Sequence, residues 1–348
     1  MSQDALAKAQ ELWEPTGTYL NTASYGLPPT PAWDALQATL TDWRGGRTSW
    51  EHWGDETESA RATFARIVGS RPENVAVGAT VSGLVGLIAA SIPDGSLIVS
   101  PDIEFTSLLF PFLVQEHRGV RVRLAPAAEL AEAIDETTDV VVFSAVQMAT
   151  GEVANLDAVV DAARKHDALT VVDATQAVGW LPIAASRFDA VAVAGYKWLL
   201  TLRGTAYMAI RDELLEATLP LSAGWYAGED PHETYFGPPL RLAASARRLD
   251  TSPAWHSWIV AAQSLAVLDG IGIPAIHAHD VGLANRFRAG LGLEPSDSAI
   301  VMSDAPGAAE KLAAAGIRAA VRGGRLRTSW HVYNTERDVD RTLDVLSG

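Results

Sequence analysis

The sequence predicts an α/β protein: a large, mostly parallel sheet covered by helices, then a smaller α+β unit at the C-terminal end. Three observations point there. Short β-branched runs alternate with longer amphipathic stretches over most of the chain. Those runs are apolar almost throughout, as expected of strands buried on both faces. After about residue 215 the alternation stops at a Gly- and Pro-punctuated loop, Ser222–Pro239.

Taken in order, Asn74–Val77 reads as a strand and Ser82–Ser91 as a helix. Ser96–Ser100 is a strand, Phe105–His117 a helix and Val120–Leu124 a strand. Asp139–Ser144 and Thr170–Asp173 are strands flanking a helix over Leu156–His166, and Asp189–Ala194 and Thr205–Ile210 follow as strands. A helix is expected around Ala254–Gly270, and Ile273–Gly348 reads as a small α+β unit ending in a helix near Thr335–Leu346. In such sheets ligands gather at the carboxyl ends of the strands.

Composition narrows the function classes. With 348 residues, 48% apolar and 20% charged, the chain can bury a sizeable core. A formal charge of −15 argues against nucleic acid and against an anionic membrane surface. The absence of cysteine excludes disulfides, cysteine-ligated zinc and a cysteine nucleophile; no metal is called for. The acidic N-terminal turns are not a secretory signal, and the uncharged stretch Asn74–Pro93 reads as a buried strand and helix, so a cytoplasmic location is expected.

Four loops at strand ends carry chemistry. Gly78-Ala79-Thr80 lies between a strand and a helix, where free N–H groups, a hydroxyl and the helix dipole favour an anion. Neither G-x-G-x-x-G nor G-x-x-x-x-G-K-[ST] occurs, which removes the dinucleotide and Walker-type fingerprints. Asp173, after a buried strand, could keep a proton on a pyridine nitrogen. Lys197, between Tyr196 and Trp198 at the end of an apolar strand, is desolvated, which suits Schiff-base formation. Arg327 suits a substrate carboxylate, with Arg325 and Arg322 as close competitors.

Together with YLNTASYG (19–26), EFTS (104–107), VQMATG (146–151), VVDATQAVG (171–179), AGYKWLLTLRGT (194–205) and LRTSWHVYNTERDVD (326–340), these loops cover nearly the whole chain. In this the chain resembles the class V aminotransferase-fold enzymes, which depend on pyridoxal 5′-phosphate (PLP) and include cysteine desulfurases, kynureninases and isopenicillin N epimerase-like proteins. The resemblance implies fold type I, with a large PLP-binding domain over 16–240 and a small domain formed by 1–15 and 241–348. It implies that Lys197 holds PLP as a Schiff base and moves the α-proton, that Asp173 pairs with the pyridine nitrogen, and that Gln176 approaches the ring hydroxyl. Ala79, Thr80 and Tyr196 would hold the phosphate, Phe105 would stack on the ring, and Gln147 would sit near the ring oxygen or the substrate. Asn21 and Arg327 fall on the substrate, with Arg327 on its α-carboxylate. Trp225, Thr251 and Ser252 match positions that reach the neighbouring cofactor across a homodimer interface.

The departures matter too. With no cysteine, persulfide transfer by a desulfurase is ruled out. Phe105 stands where desulfurases tend to stack a histidine, and Val81 where they carry an acid. The expected reaction is aminotransferase-type work on an amino acid; a β-lyase, an epimerase and a non-catalytic PLP-fold binder are the alternatives. The segments Trp43–Trp53 and Trp225–Phe236 are expected to influence substrate selectivity.

Overall fold

A computed structural model describes residues 3–304 and 307–347. In chain order its elements are α1 (Gln3–Gln10), β1 (Thr18–Tyr19), α2 (Thr30–Arg44), α3 (Trp50–Val68), β2 (Val75–Gly78), α4 (Val81–Ser91), β3 (Leu97–Pro101), α5 (Thr106–Leu113), β4 (Arg121–Ala125), β5 (Val140–Ser144), α6 (Leu156–Lys165), β6 (Leu169–Asp173), β7 (Ala190–Ala194), β8 (Ala206–Ile210) and α7 (Asp212–Ala217). There follow α8 (Trp255–Ile271), α9 (Ile273–Gly290), β9 (Ile300–Ser303), α10 (Ala308–Ala314), β10 (Ile317–Arg318), β11 (Ala320–Arg322), β12 (Arg325–Ser329) and α11 (Glu336–Ser347).

Seven strands form one sheet in the order β2-β8-β7-β6-β5-β3-β4. Neighbours from β4 to β7 pair parallel, while β8 runs antiparallel to both β7 and β2. The alternation along each strand supplies a core on each face. Val141, Phe143, Val172 and Val193 pack with Phe64 of α3, Val160 of α6 and Trp258 of α8. Their chain neighbours Val140, Val142, Val171 and Ala192 face the other way, against Val85 and Ile88 of α4 and Leu108 and Phe112 of α5. A third core joins Leu283 and Phe287 of α9, Val301, Leu312, Trp330 and Val339 around the three-stranded sheet β11-β12-β9.

The strands fall within a residue or so of the sequence expectation. The helix expected over 105–117 stops at Leu113 and continues as a 3-10 turn, Val114–Arg118. Pro111 inside it has no N–H for the backbone ladder. Three N-terminal helices were not anticipated; the longest, α3, packs along α8. No single helix among the described residues is long and apolar enough to cross a membrane.

Candidate active site

The carboxyl ends of β2, β3, β5, β6 and β7 deliver their loops to one edge of the sheet. Because β8 runs the other way, the residues entering it arrive at the same edge. A cleft there is lined by Ala79, Thr80, Phe105, Asp173, Lys197 and Arg203, among others, and holds about 740 Å³ of empty space counted out to its open mouth.

Thr80 is the N-cap of α4, its hydroxyl accepting from the N–H of Gly83 at 3.1 Å. Ala79 and Thr80 are exposed, and the first turn of α4 carries no acidic side chain, so its dipole faces the cleft uncancelled. Asp173 ends β6 buried, with Oδ1 accepting from the N–H of Thr175 at 2.8 Å. Burial pushes its pKa up, opposed by the Thr175 hydrogen bonds and the Lys197 charge.

Lys197 is 7% exposed. Desolvation brings its amine down to about 8; Asp173 opposes the shift, while Arg327, Arg203 and Arg322 add to it. Its Nζ lies 5.7 Å from the centre of the Phe105 ring and 5.8 Å from that of Tyr196. The loop that carries it is held tightly. Gly26 N–H donates to Tyr196 O at 2.9 Å, and a Cβ on Gly26 would overlap Lys197 O. Leu200 takes a left-handed φ of 60°, rare for a leucine. Behind the loop, His331 places Nε2 3.1 Å from Trp198 O and Nδ1 2.7 Å from Asp280, with both side chains fully buried. Both ring nitrogens are engaged, which fixes the imidazole behind the lysine loop.

Arg327 on β12 is 1% exposed and lies outside the lining of the cleft, bonded to the backbone of Met148, which is part of it. It donates to Met148 O (3.1 Å) and Ser24 Oγ (2.8 Å), while its Nε has no partner. Burial, then the charge of Arg322, bring its pKa down to about 10. Of its two competitors, Arg325 is engaged with Asp304 at 2.6 Å, and Arg322 reaches Ser24.

The remaining expectations divide. Gln176 lines the cleft, but Nε2 donates to Ala23 O and Oε1 accepts from Trp198 Nε1, so its amide braces the loop as well as facing the cleft. Gln147 lies outside the lining, its Oε1 accepting from the N–H of Met148. Asn21 bridges to Ser329 through its backbone and leaves a buried Oδ1 unpartnered. Trp225, Thr251 and Ser252 lie off the cleft of their own chain. Trp225 instead packs edge-on against Trp50 at 4.8 Å, and Trp53 and Trp43 each lie near His256, so neither aromatic segment lines this cleft.

Two site residues were missed. Glu104 is buried and accepts from the N–H of Phe105 (2.6 Å), Ser144 N–H (2.7 Å) and Ser144 Oγ (2.5 Å), tying the β3 loop to β5. Burial raises its pKa against those bonds. Its sequence signal is the acid of EFTS, immediately before Phe105 at the end of an apolar strand. Arg203 lines the cleft with its guanidinium 4.3 Å from the centre of the Tyr196 ring. Only the antiparallel course of β8 brings it there.

The family model described as Aminotransferase class-V matches residues 18–314. The chain is 26% identical to an uncharacterized aminotransferase of Bacillus subtilis, covering 95% of this chain and 94% of that one. It is 28% identical to an isopenicillin N epimerase of Amycolatopsis lactamdurans, covering 98% and 97%. Among solved structures, a cystine C–S lyase in complex with its product cysteine persulfide superposes with a TM-score of 0.86 at 20% identity, over 95% of this chain and 97% of that one.

Proposed function

Because the chain belongs to the class V aminotransferases, a PLP-dependent family, we propose that it binds PLP on Lys197 and transfers the amino group of an amino acid. The observation that carries this reading is the pairing of two buried, oppositely charged groups across one cleft: Lys197, with its pKa brought down to about 8, and Asp173.

The residues present fit the cofactor. The exposed start of α4 at Ala79 and Thr80 offers N–H groups and a hydroxyl to its phosphate, and Tyr196 lines the same cleft. Phe105 offers a ring face, and Asp173 a carboxylate to the pyridine nitrogen. Bound there, PLP supplies an electron sink for charge developing at the α-carbon. Lys197 takes and returns the α-proton, its lowered pKa keeping a fraction of the amine neutral near pH 7. Arg327 fixes the α-carboxylate, with Asn21 and Gln147 near the substrate. Among the described residues lining the cleft, Lys197 is the one amine, and Phe105 can serve as neither acid nor base. One base moving a proton along one face favours transfer over inversion of the α-carbon.

The working unit in this reading is a cytoplasmic homodimer in which Trp225, Thr251 and Ser252 complete the neighbour's site. In support, these residues lie off their own cleft, and Phe236 (89% exposed) and Leu240 (81%) project from the segment after Trp225.

Borohydride reduction followed by peptide mass analysis tests the attachment: the cofactor mass belongs on the Lys197 peptide and disappears in Lys197→Ala. Mixing the holoenzyme with amino acids, without an acceptor, tests the reaction. Retention of the amino group with no free ammonia supports transfer; steady ammonia release from a β-substituted amino acid would establish a β-lyase instead.

A further inference from the structure

The hairpin β11–β12 turns through Gly323 and Gly324, both left-handed at φ 56° and 79°. Its register sets Ala320 opposite Arg327 and Arg322 opposite Arg325. Arg322 and Arg327 therefore share one face, diagonal to each other, while Leu326 on the opposite face packs into the C-terminal core. The two-residue turn fixes this geometry. Arg325 is engaged with Asp304, but among the described residues Arg322 meets no carboxylate. Arg322 instead reaches Ser24 Oγ at 3.2 Å, the hydroxyl that Arg327 holds at 2.8 Å.

Two cations thus converge on one neutral acceptor, an arrangement that repels itself unless anions arrive. Arg322 accordingly depresses the pKa of Arg327, and both depress that of Lys197. A single α-carboxylate answers the buried Arg327 and leaves the exposed Arg322 unanswered. Arg203 lines the cleft over the Tyr196 ring, whereas Arg322 is tethered through Ser24 to Arg327. We infer that Arg322 selects amino acids bearing a second carboxylate on the side chain, held outward of the α-carboxylate on Arg327. This inference rests on the proposed role of Arg327 in a PLP-dependent site. It narrows the substrate to acidic amino acids.

Calorimetric titration of the holoenzyme with glutarate and succinate, each against its isosteric half-amide, tests it. The dicarboxylates are expected to bind about tenfold more tightly, the margin of one charge-assisted contact. In Arg322→Gln that ratio falls to near one while half-amide affinity is unchanged; in Arg327→Gln both ligands weaken. Initial rates with L-glutamate against L-glutamine should follow the same ratio. Equal binding of diacid and half-amide by the wild type, or an equal loss for both in Arg322→Gln, overturns the inference; the latter places both arginines on the α-carboxylate. Heat of binding is read independently of the Lys197 chromophore. A missing chromophore with diacid selectivity intact therefore indicts the cofactor assignment, and a normal chromophore without selectivity indicts Arg322.

Discussion

Replacing Lys197 with methionine exposes the energetic cost of holding an amine out of water. In the folded chain that amine has a pKa of about 8, against 10.5 for an ordinary lysine. At about 1.4 kcal/mol for each factor of ten in proton affinity, the difference amounts to about 3 kcal/mol. Below pH 8 the lysine is protonated in both folded and unfolded chains, so the full penalty weighs on the fold. Between pH 8 and 10.5 the unfolded chain binds the extra proton, and stability rises with pH. Above 10.5 both states are neutral and the penalty is gone. Urea unfolding of cofactor-free wild type and Lys197→Met, from pH 7 to 11, isolates this contribution because the other groups are common to both. The wild type should gain about 3 kcal/mol on the variant across that window, whatever constant offset the lost Asp173 contact adds. Parallel profiles would refute the reasoning, since they would mean that the Lys197 amine is hydrated.

Glu104→Gln sets an amide NH₂ among the Phe105 N–H, the Ser144 N–H and the Ser144 hydroxyl; about 1–3 kcal/mol of stability should be lost, read by thermal melting, together with weaker cofactor retention. Gly26→Ala drives a methyl into Lys197 O, so the variant should release PLP on dialysis and unfold about 1–3 kcal/mol more easily. His331→Leu leaves Asp280 buried without its partner and Trp198 O without its donor; a loss of about 3–5 kcal/mol is expected in urea, with the Asp280→Asn/His331→Leu double variant recovering part of it.

The sheet was legible because each strand is a short apolar run whose two faces are both buried, a pattern set by local composition. Lys197, Asp173 and Thr80 were legible for a related reason: each is a polar residue where such a run stops, and in a parallel sheet those ends share one edge. The N-terminal helices were not, because α3 begins in a tryptophan-rich stretch that suggested a cleft wall, and its helical character rests on packing against α8, some 190 residues later in the chain. Arg203 escaped for a topological reason: the reversal of β8 is invisible to periodicity. Arg322 and Arg325 could not be told apart from Arg327 by residue type. Their separation depends on the Gly323-Gly324 turn and on which guanidinium meets Asp304.

The bonds around the lysine loop join parts of the chain made at very different times. Ala23 receives Gln176, Gly26 holds Tyr196, Ser329 accepts from the N–H of Ala23, and Ser24 meets Arg327. The cleft itself is lined by residues between 79 and 204, but the bonds that brace its lysine loop come from the first tenth and the last tenth of the polypeptide. A nascent chain that has already built the sheet still lacks Arg327, which meets Ser24, and His331, which meets Trp198 O behind the lysine. Contacts this distant in sequence form late and slowly. A chain truncated before residue 327 would therefore keep the residues that line the cleft while lacking the C-terminal partners that brace its lysine loop.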